Sequence, residues 1–562
     1  MFAIVWCVFL LSALDPSPSA VADDDMGEQI RSRGSRSATV GQVSSPRSGR
    51  KWAGEASALY NGSAGGDGGE RKGPRPLSVV CERRAGSAPF RASRGKQRSA
   101  RRETVKVTSF GAKGDGSEAP KVNAQAFNEA IASLEQGGVV EVPAGVYVVG
   151  GYDTRITLAS NVTLRGIGGE HAAELKAPSQ GGSRMILIPK EARNVTVENL
   201  KMDIRSAEDF DSAIGVYGQE SRIRNNDIYD STYYLPSDHP AYTGDENWTR
   251  HAIVNYGSGL RVYGNEFHGV QVTLATGKSR VRDVEMWNNR SIDSQAYAIS
   301  ATMKNHGAGF EDIHIHDNYL YNFTRGGIYI GGDKGKPLNP DRRLSNITVE
   351  NNEVIIGPKL QKFYRAIFLR AMGPSRDIRI HGNVVKCTEQ AQGRGAGNLS
   401  LIRADAGKSS TFKQLTITDN EFAANDRVNY VIWIRRGAAE HLVIAGNEAV
   451  TDGRGIQIEN RNENVRIFKN DITTQAWTLS IAGVNELSVS NNTFISRPEE
   501  KGRRAIVLKS GAGMSGEVVG NRIEGRGRVP LAAAVAFKGV PRTNVRIEDN
   551  DVFGHVLQRI AQ

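Results

Sequence analysis

Residues 346–356 read NITVENNEVII, in which a short alternating strand leads into two asparagines and a second strand follows directly. The same arrangement recurs twelve times, as the tetrads RNND, YGNE, WNNR, HDNY, ENNE, HGNV, TDNE, AGNE, FKND, SNNT, VGNR and EDND. Their third residues are Asn226, Asn265, Asn289, Asn318, Asn352, Asn383, Asn420, Asn447, Asn470, Asn492, Asn521 and Asn550. Successive asparagines lie 22 to 39 residues apart, a spacing of short strands that is typical of a solenoid.

The recurring asparagine has a physical explanation. One corner of each coil needs a left-handed backbone, which asparagine tolerates, and its amide can bond the equivalent amides above and below. The leucine signature of leucine-rich repeats is missing, and propeller blades are longer and more even. The sequence therefore predicts an all-β fold, a single-stranded right-handed parallel β-helix whose equivalent strands pair about 4.8 Å apart.

The segment before the repeats has a different pattern. Order begins at Val105, and apolar residues follow at helical spacing from Ala124 through Phe127 and Ile131 to Leu134. Gly137 and Gly138 end this helix. We predict that the helix caps the N-terminal end of the solenoid, because an uncapped end would expose unpaired strand edges.

The N-terminal hundred residues differ in composition from the rest. Residues 1–22 combine the apolar run FAIVWCVFLLSAL with a small-residue Ala-Val-Ala site, which predicts a signal peptide and a secreted or periplasmic protein. The run is too short for stable membrane insertion, which needs about 20 residues. Residues 23–103 are rich in Gly, Ser and Arg without a period and are predicted to be disordered, so the β-helix domain spans residues 104–562. Three cysteines provide no disulfide framework.

The net charge of +11 is concentrated in the same segment. Residues 1–103 hold 17 of the 72 Lys and Arg residues but only 10 of the 61 Asp and Glu residues. The remainder is nearly neutral, which argues against a dedicated nucleic-acid-binding protein.

The start of the ordered part carries a family resemblance. The segments VTSFGAKGDG, NAQAFNEAI and GGVVEVPAGVY resemble the N-terminal segment of the pectate-lyase superfamily, and the resemblance extends over residues 105–562. It implies a right-handed β-helix that acts on a polysaccharide, as in pectate lyases, polygalacturonases, alginate epimerases and phage tailspike depolymerases. The NTD, GHG and RIK motifs of polygalacturonases and the RxPxxR pattern of classical pectate lyases are missing, so the resemblance does not specify the reaction.

The longest interval between asparagines contains residues 229–251, YDSTYYLPSDHPAYTGDENWTRH. Aromatic faces stack on sugar rings, and the phenol and indole edges can bond hydroxyl groups. The run YLPSDH is similar in content to the Tyr and Asp-Pro-His-Asp/Glu of alginate epimerases, although Asp and His are adjacent here. From this interval and nearby loops we predict catalytic roles for Tyr234, Asp238, His239, His251, Lys304 and His306, and substrate contacts for Tyr233, Trp248 and Lys334.

A second group of candidates comes from the repeat strands GIYIGG, LSLIRAD, AIFLRA and VIWIRR. Alternation buries one set of side chains and points the other set outward. The outward set is predicted to contain Tyr329, Arg370, Trp433 and Arg435, with the aromatic residues stacking on sugars and the arginines holding carboxylates. Arg403 joins this set in one of two registers that differ by one position. Arginines on adjacent coils repel each other unless an anion lies between them, which indicates an acidic ligand.

The supply of Arg, Lys, His and Tyr favours β-elimination at uronate residues. That reaction needs a base, a neutralised carboxylate and an acid for the leaving oxygen. The sequence therefore predicts an exported enzyme that cleaves an acidic polysaccharide. The alternatives are a glycoside hydrolase with paired carboxylates such as Asp238, Asp245 and Asp333, a C5-epimerase, and a non-catalytic polysaccharide-binding surface protein. No EF-hand or zinc spacing is visible, and the resemblance leaves Ca²⁺ bound by loop carboxylates as an open alternative.

Overall fold

The computed structural model describes most of the chain after residue 102. The described ranges are 103–179, 183–204, 211–230, 250–277, 279–294, 296–303, 308–332, 342–358, 365–388, 399–407, 410–424, 428–435, 438–459, 462–509, 514–541 and 544–561. The predicted signal peptide and the predicted disordered segment lie before these ranges and stay predictions.

The described residues form three long parallel sheets, with strands numbered in chain order. Sheet A contains 16 strands: β1 Thr104–Lys106, β2 Gly138–Val142, β5 Val162–Gly166, β8 Thr196–Glu198, β11 Arg222–Arg224, β14 Arg261–Tyr263, β17 Val281–Trp287, β20 Phe310–His316, β23 Leu344–Glu350, β26 Arg376–His381, β30 Leu415–Thr418, β34 Leu442–Ala445, β37 Asn462–Phe468, β40 Val484–Ser490, β43 Gly516–Val519 and β46 Val545–Glu548.

Sheet B contains 15 strands: β3 Gly145–Val148, β6 Ala173–Lys176, β9 Lys201–Asp203, β12 Asp227–Tyr229, β15 Glu266–His268, β18 Arg290–Ile292, β21 Tyr319–Tyr321, β24 Glu353–Ile356, β27 Val384–Cys387, β31 Glu421–Ala424, β35 Glu448–Thr451, β38 Asp471–Thr474, β41 Thr493–Ser496, β44 Arg522–Gly525 and β47 Asp551–Gly554.

Sheet C also contains 15 strands: β4 Ile156–Thr157, β7 Arg184–Ile188, β10 Ser212–Val216, β13 His251–Asn255, β16 Gln271–Thr276, β19 Tyr297–Met303, β22 Gly326–Gly332, β25 Arg365–Ala371, β28 Ser400–Ala406, β32 Tyr430–Arg435, β36 Arg454–Ile458, β39 Leu479–Ala482, β42 Arg504–Lys509, β45 Ala533–Lys538 and β48 Ile560–Ala561. The short strands β29 Thr411–Phe412 and β33 Ala438–Ala439 pair with each other.

The chain contributes strands to the sheets in the order A, B, C in each coil. Each strand of a sheet, except the first and the last, therefore pairs in parallel with its equivalents one coil before and one coil after. This is the predicted right-handed parallel β-helix. The inward side chains form one continuous apolar core, to which β11, β12 and β13 contribute Ile223, Ile228 and Ile253, all without exposure. Full burial of such a side chain stabilises the fold by about 1.5–3 kcal/mol.

The twelve predicted asparagines form a ladder at the corner between sheets A and B. Asn383 is representative: its Oδ1 accepts bonds of 3.0 Å from the backbone and side-chain nitrogens of Asn352. Its Nδ2 donates to the side chain of Asn420 and the carbonyl of Val349, both at 2.9 Å. Each amide therefore joins adjacent coils while satisfying buried backbone groups.

The left-handed conformation at this corner lies one residue before the position predicted from sequence. The positive φ belongs to the second residue of each tetrad, for example Asn225 at 53°, Asp317 at 53° and Gly382 at 63°. The ladder asparagines are absent from the residues with positive φ. Asparagine recurs at the ladder position because its amide joins the coils, whereas the turn residue before it is Asn, Asp, Gly or, at one position, Lys469.

The predicted N-terminal helix is present as α1, Pro120–Ala132, preceded by a 3-10 helix, Val107–Phe110. It begins four residues before the predicted start because Pro120 occupies the first turn, where a missing N–H costs nothing. Phe127 is fully buried and meets the edge of the Tyr147 ring at 5.7 Å, which fixes α1 on the first coil. Among the described residues, no helix is long and apolar enough to cross a membrane.

Candidate functional site

The predicted site residues divide into two groups. Those outside the described residues are Tyr233, Tyr234, Asp238, His239, Asp245, Trp248, Lys304, His306, Asp333 and Lys334, and their roles stay predictions. The described candidates are His251, Tyr329, Arg370, Arg403, Trp433 and Arg435, and all six belong to strands of sheet C. Sheet C therefore carries all six described candidates, although they are spread along its length.

Side chains of five successive coils form a stack on sheet C, here called the buried aromatic row: Tyr297, Tyr329, Phe368, Arg403 and Trp433. Tyr329, Phe368, Arg403 and Trp433 are direct partners in successive strand pairs. The ring centres of Tyr329 and Phe368 are 5.2 Å apart. The Arg403 guanidinium lies between the next two rings, 5.5 Å from Phe368 and 4.6 Å from Trp433. The register of Arg403, which sequence left uncertain, is thereby fixed.

The charge of Arg403 is neutralised within the chain. Its Nε and Nη2 donate to the two carboxylate oxygens of Asp405 at 2.7 and 2.6 Å, and the guanidinium side chain is only 2% exposed. A bidentate pair of this kind is strong and geometrically specific. In this structure Arg403 orders the row, and its predicted contact with a substrate carboxylate would have to use its remaining N–H group.

The two aromatic residues predicted to stack on sugars are also covered. Tyr329 is 7% exposed and Trp433 is 5% exposed, and the indole Nε1 of Trp433 donates to Glu459 at 2.9 Å. Sequence alternation predicts the strand face of a side chain, but it carries no information on what covers that face. Neither ring therefore offers an open stacking surface in this structure.

A second, more accessible cluster follows in the next coils and is here called the open cationic patch: Arg454, Trp477, Lys509 and Lys538. Arg435 lies apart from it, with its guanidinium against Trp433 and its Nε 3.9 Å from Glu459. The Arg454 guanidinium lies 4.3 Å from the Trp477 ring centre, and the Lys509 amine lies 5.4 Å from it. Arg454 also donates to the Tyr430 hydroxyl at 2.8 Å. The Trp477 indole is half-buried. The exposed part of such a ring can stack on a sugar, and cations beside it can bind an acidic substituent.

Lys509 has a distinctive electrostatic environment. Burial lowers the pKa of its amine, and repulsion from Lys538 and Arg454 lowers this pKa further, while Glu459 opposes the shift. Lys509 and Lys538 are direct neighbours across β42 and β45. Sequence analysis missed both, although AIVLK and AVAFK repeat the apolar-strand-then-cation pattern of AIFLR and VIWIR.

Charge is distributed unevenly between the sheets. The eight sheet C strands from β25 to β48 contain eight Lys and Arg residues and one carboxylate, Asp405. The eight sheet B strands of the same coils, β24 to β47, contain two cations and six carboxylates. In this part of the molecule sheet C is basic and sheet B is acidic, so an anionic ligand is attracted to sheet C.

His251 lies on the same sheet but far from the open cationic patch. Its Nδ1 shares a hydrogen bond of 3.0 Å with the Thr273 hydroxyl, which in turn lies 3.1 Å from the Ser300 hydroxyl. In sheet C the strand of Lys509 is nine strands away from that of His251, about 43 Å at the usual spacing. The two groups therefore cannot act on the same glycosidic bond.

Comparison with known proteins indicates no reaction for this chain. No family model and no curated protein matches the chain. Solved structures that match include a family 28 exopolygalacturonase of Yersinia enterocolitica, with 12% identity, a TM-score of 0.44, and coverage of 81% of this chain and 78% of that one. A surface adhesin of Streptococcus pneumoniae has 14% identity, a TM-score of 0.42, and coverage of 82% and 91%.

A tailspike protein of an E. coli bacteriophage, solved with a pentasaccharide, has 12% identity, a TM-score of 0.41, and coverage of 82% and 78%. The chain is a right-handed parallel β-helix. Sequence identities this low do not identify reactive residues. The proposed chemistry therefore rests on the side chains of this chain.

Proposed function

We propose that this protein binds an acidic polysaccharide along sheet C and cleaves it by β-elimination at uronate residues. The observation that carries the proposal is the excess of eight cations over one carboxylate in the last eight strands of sheet C. A carbohydrate bearing carboxylates would neutralise the repulsion between Lys509 and Lys538, which are paired across adjacent strands. Export, predicted from residues 1–22, belongs to the same proposal.

The open cationic patch supplies the groups that β-elimination requires. Arg454 would bind the uronate carboxylate, which acidifies the proton on the adjacent ring carbon. Trp477 would stack against the sugar ring. Lys509 is the proposed base, since its lowered pKa increases the fraction of neutral amine near neutral pH.

The elimination step balances without an outside reactant. The Lys509 amine takes the proton from C5, the electron pair forms the C4=C5 double bond, and the bond from C4 to the glycosidic oxygen breaks. The leaving oxygen takes up a proton, which protonated Lys509 can return when both groups lie on the same face of the sugar. The products are an unsaturated uronate and a new reducing end.

The test uses the full-length protein and a panel of acidic and neutral polysaccharides. Ultraviolet absorbance of an unsaturated uronate and the formation of reducing ends are recorded on the same samples. The proposal predicts that both signals rise together on an acidic polysaccharide and on no neutral one. Reducing ends without absorbance would overturn it in favour of a hydrolase. If neither signal rises with any polysaccharide of the panel, the proposed cleavage is wrong and an epimerase or a binding protein is favoured.

A further inference from the structure

Sheet A carries a separate cluster of side chains with metal-binding chemistry. Glu285 on β17 is the direct strand partner of His314 on β20. His316 lies two residues after His314, and residues two apart on a strand share a face. The sequence DIHIHD places both imidazoles outward, and the parallel register adds the carboxylate from the previous coil.

The ligand atoms of the three side chains converge. Oε1 of Glu285 lies 3.3 Å from Nε2 of His316 and 3.9 Å from Nδ1 of His314. One ligand atom from each residue lies within 4.8 Å of the other two. In a tetrahedral site with bonds of about 2.0–2.2 Å, ligand atoms are separated by about 3.3–3.6 Å. The observed distances approach these values. The two imidazole rings are stacked with their centres 4.0 Å apart, so they would rotate apart to direct both ligand nitrogens at one ion.

The opposite ring nitrogen of each histidine contacts a carboxylate. Nε2 of His314 lies 2.8 Å from Glu350, and Nδ1 of His316 lies 2.7 Å from Asp317. Imidazole ligands of metals are commonly oriented in this way by a carboxylate on the other nitrogen. The second oxygen of Glu285 is 3.2 Å from the Arg261 Nε, which leaves Oε1 directed towards the histidines.

We propose that Glu285, His314 and His316 bind a divalent transition-metal ion, and specifically Zn²⁺. Two imidazoles and one carboxylate form a borderline ligand set that suits zinc better than the hard ion Ca²⁺, which prefers six or more oxygen ligands. Three protein ligands leave a coordination position for water or a substrate oxygen. The site stands on its own observations and does not depend on the reaction proposed for sheet C.

Neighbouring aromatic rings support the geometry of the site. The Trp287 ring is parallel to that of His316 within 1°, with centres 5.9 Å apart, and Tyr263 stacks on Trp287 at 4.2 Å. These contacts restrain the imidazole before the ion arrives, which reduces the ordering cost of binding. A comparable trio on sheet B, Asp227, Glu266 and His268, offers only one imidazole and fits zinc less well.

The test measures zinc binding by the full-length, untagged protein, with Zn²⁺ as the only probe. Equilibrium dialysis gives the stoichiometry, and competition with a chelating dye gives the affinity. Glu285→Gln preserves shape and His316→Ala removes an imidazole, and each is expected to abolish one equivalent of tightly bound zinc. Glu350→Gln is expected to weaken binding about 10–100-fold, as substitutions behind metal-bound histidines do.

The matched control is His381→Ala. His381 is an exposed histidine on the same sheet, directly paired with Glu350 but outside the trio, so its loss should leave binding unchanged. The proposal is overturned if the wild-type protein takes up no zinc, if Glu285→Gln and His316→Ala bind it as the wild type does, or if His381→Ala weakens binding equally, which would indicate unspecific uptake.

Discussion

Each ladder asparagine satisfies backbone groups of two coils at once, which makes a single substitution costly. Asn383→Ala removes the acceptor of two bonds from Asn352 and the donor of three bonds, including those to Val349 and Asn420. A buried polar group without a partner costs about 1–3 kcal/mol. We expect a loss of about 2–4 kcal/mol in the free energy of unfolding, measured from the midpoint of urea unfolding by circular dichroism.

The control for this prediction is Asn550→Ala at the last ladder position. Asn550 is half-buried. Its Oδ1 accepts bonds from the backbone and side-chain nitrogens of Asn521, and its Nδ2 donates to the carbonyls of Val518 and Glu548, but among the described residues it has no following asparagine to donate to. Its replacement should therefore cost less than that of Asn383. Effects below about 0.5 kcal/mol at both positions would mean that the amide ladder does not stabilise the coils.

The pH dependence of cleavage tests whether Lys509 is the base. A general base must be deprotonated, so kcat/KM should fall as the pH is lowered through the pKa of Lys509. Lys538 lowers this pKa and Glu459 raises it. Lys538→Ala should therefore move the pH–rate midpoint upward, and Glu459→Gln should move it downward. Shifts in the same direction for both variants would exclude Lys509 as the titrating base.

At the scale of the element, α1 stabilises the first coil through one buried side. Phe127 is fully buried, whereas Val122 on the same helix is 44% exposed. Phe127→Ala should lower the free energy of unfolding by about 3–5 kcal/mol, and Val122→Ala should change it by less than about 0.5 kcal/mol. Chemical unfolding of both variants measures the difference, and a similar small effect in each would show that α1 is not coupled to the core.

The elements differ in how far sequence alone predicts them. The ladder was predictable because its geometry imposes one residue type at one position per coil, as Asn352 and Asn383 illustrate. The left-handed turn was misplaced by one residue because Asn also occurs before the ladder position, at Asn225 and Asn351. The burial of Trp433 could not be predicted, because it depends on contacts that alternation along one strand does not encode.

The trio Glu285, His314 and His316 is a second case in which sequence alone does not predict a contact between side chains. The two histidines are visible in DIHIHD, but the carboxylate comes from the previous coil, 29 residues before His314. Only the parallel register, which depends on the coil lengths, brings it into contact. Lys509 and Lys538, in contrast, share a strand-end pattern with Arg370 and Arg435 that a search across repeats could have found.

At the scale of the whole molecule, the charge difference between sheets C and B predicts where an acidic polysaccharide binds. Affinity should decrease as salt concentration rises, because exposed charges are screened. Arg454→Ala on sheet C should weaken binding about tenfold or more, the value of a hydrogen bond to a charged group. Arg522→Ala on sheet B removes an exposed cation that is paired with Glu524 and should leave the affinity unchanged. Calorimetric titration at two salt concentrations tests both statements.

A comparison of rates tests whether the protein cleaves an acidic polysaccharide on sheet C with Lys509 as the base. The rate of unsaturated-uronate formation is measured for the wild type, Lys509→Met and Lys386→Met, where Lys386 is a sheet B lysine paired with Glu353. If Lys509 is the base, Lys509→Met should lower the rate at least about 100-fold, and Lys386→Met should leave it unchanged. A wild-type rate in Lys509→Met would show that Lys509 is not the base.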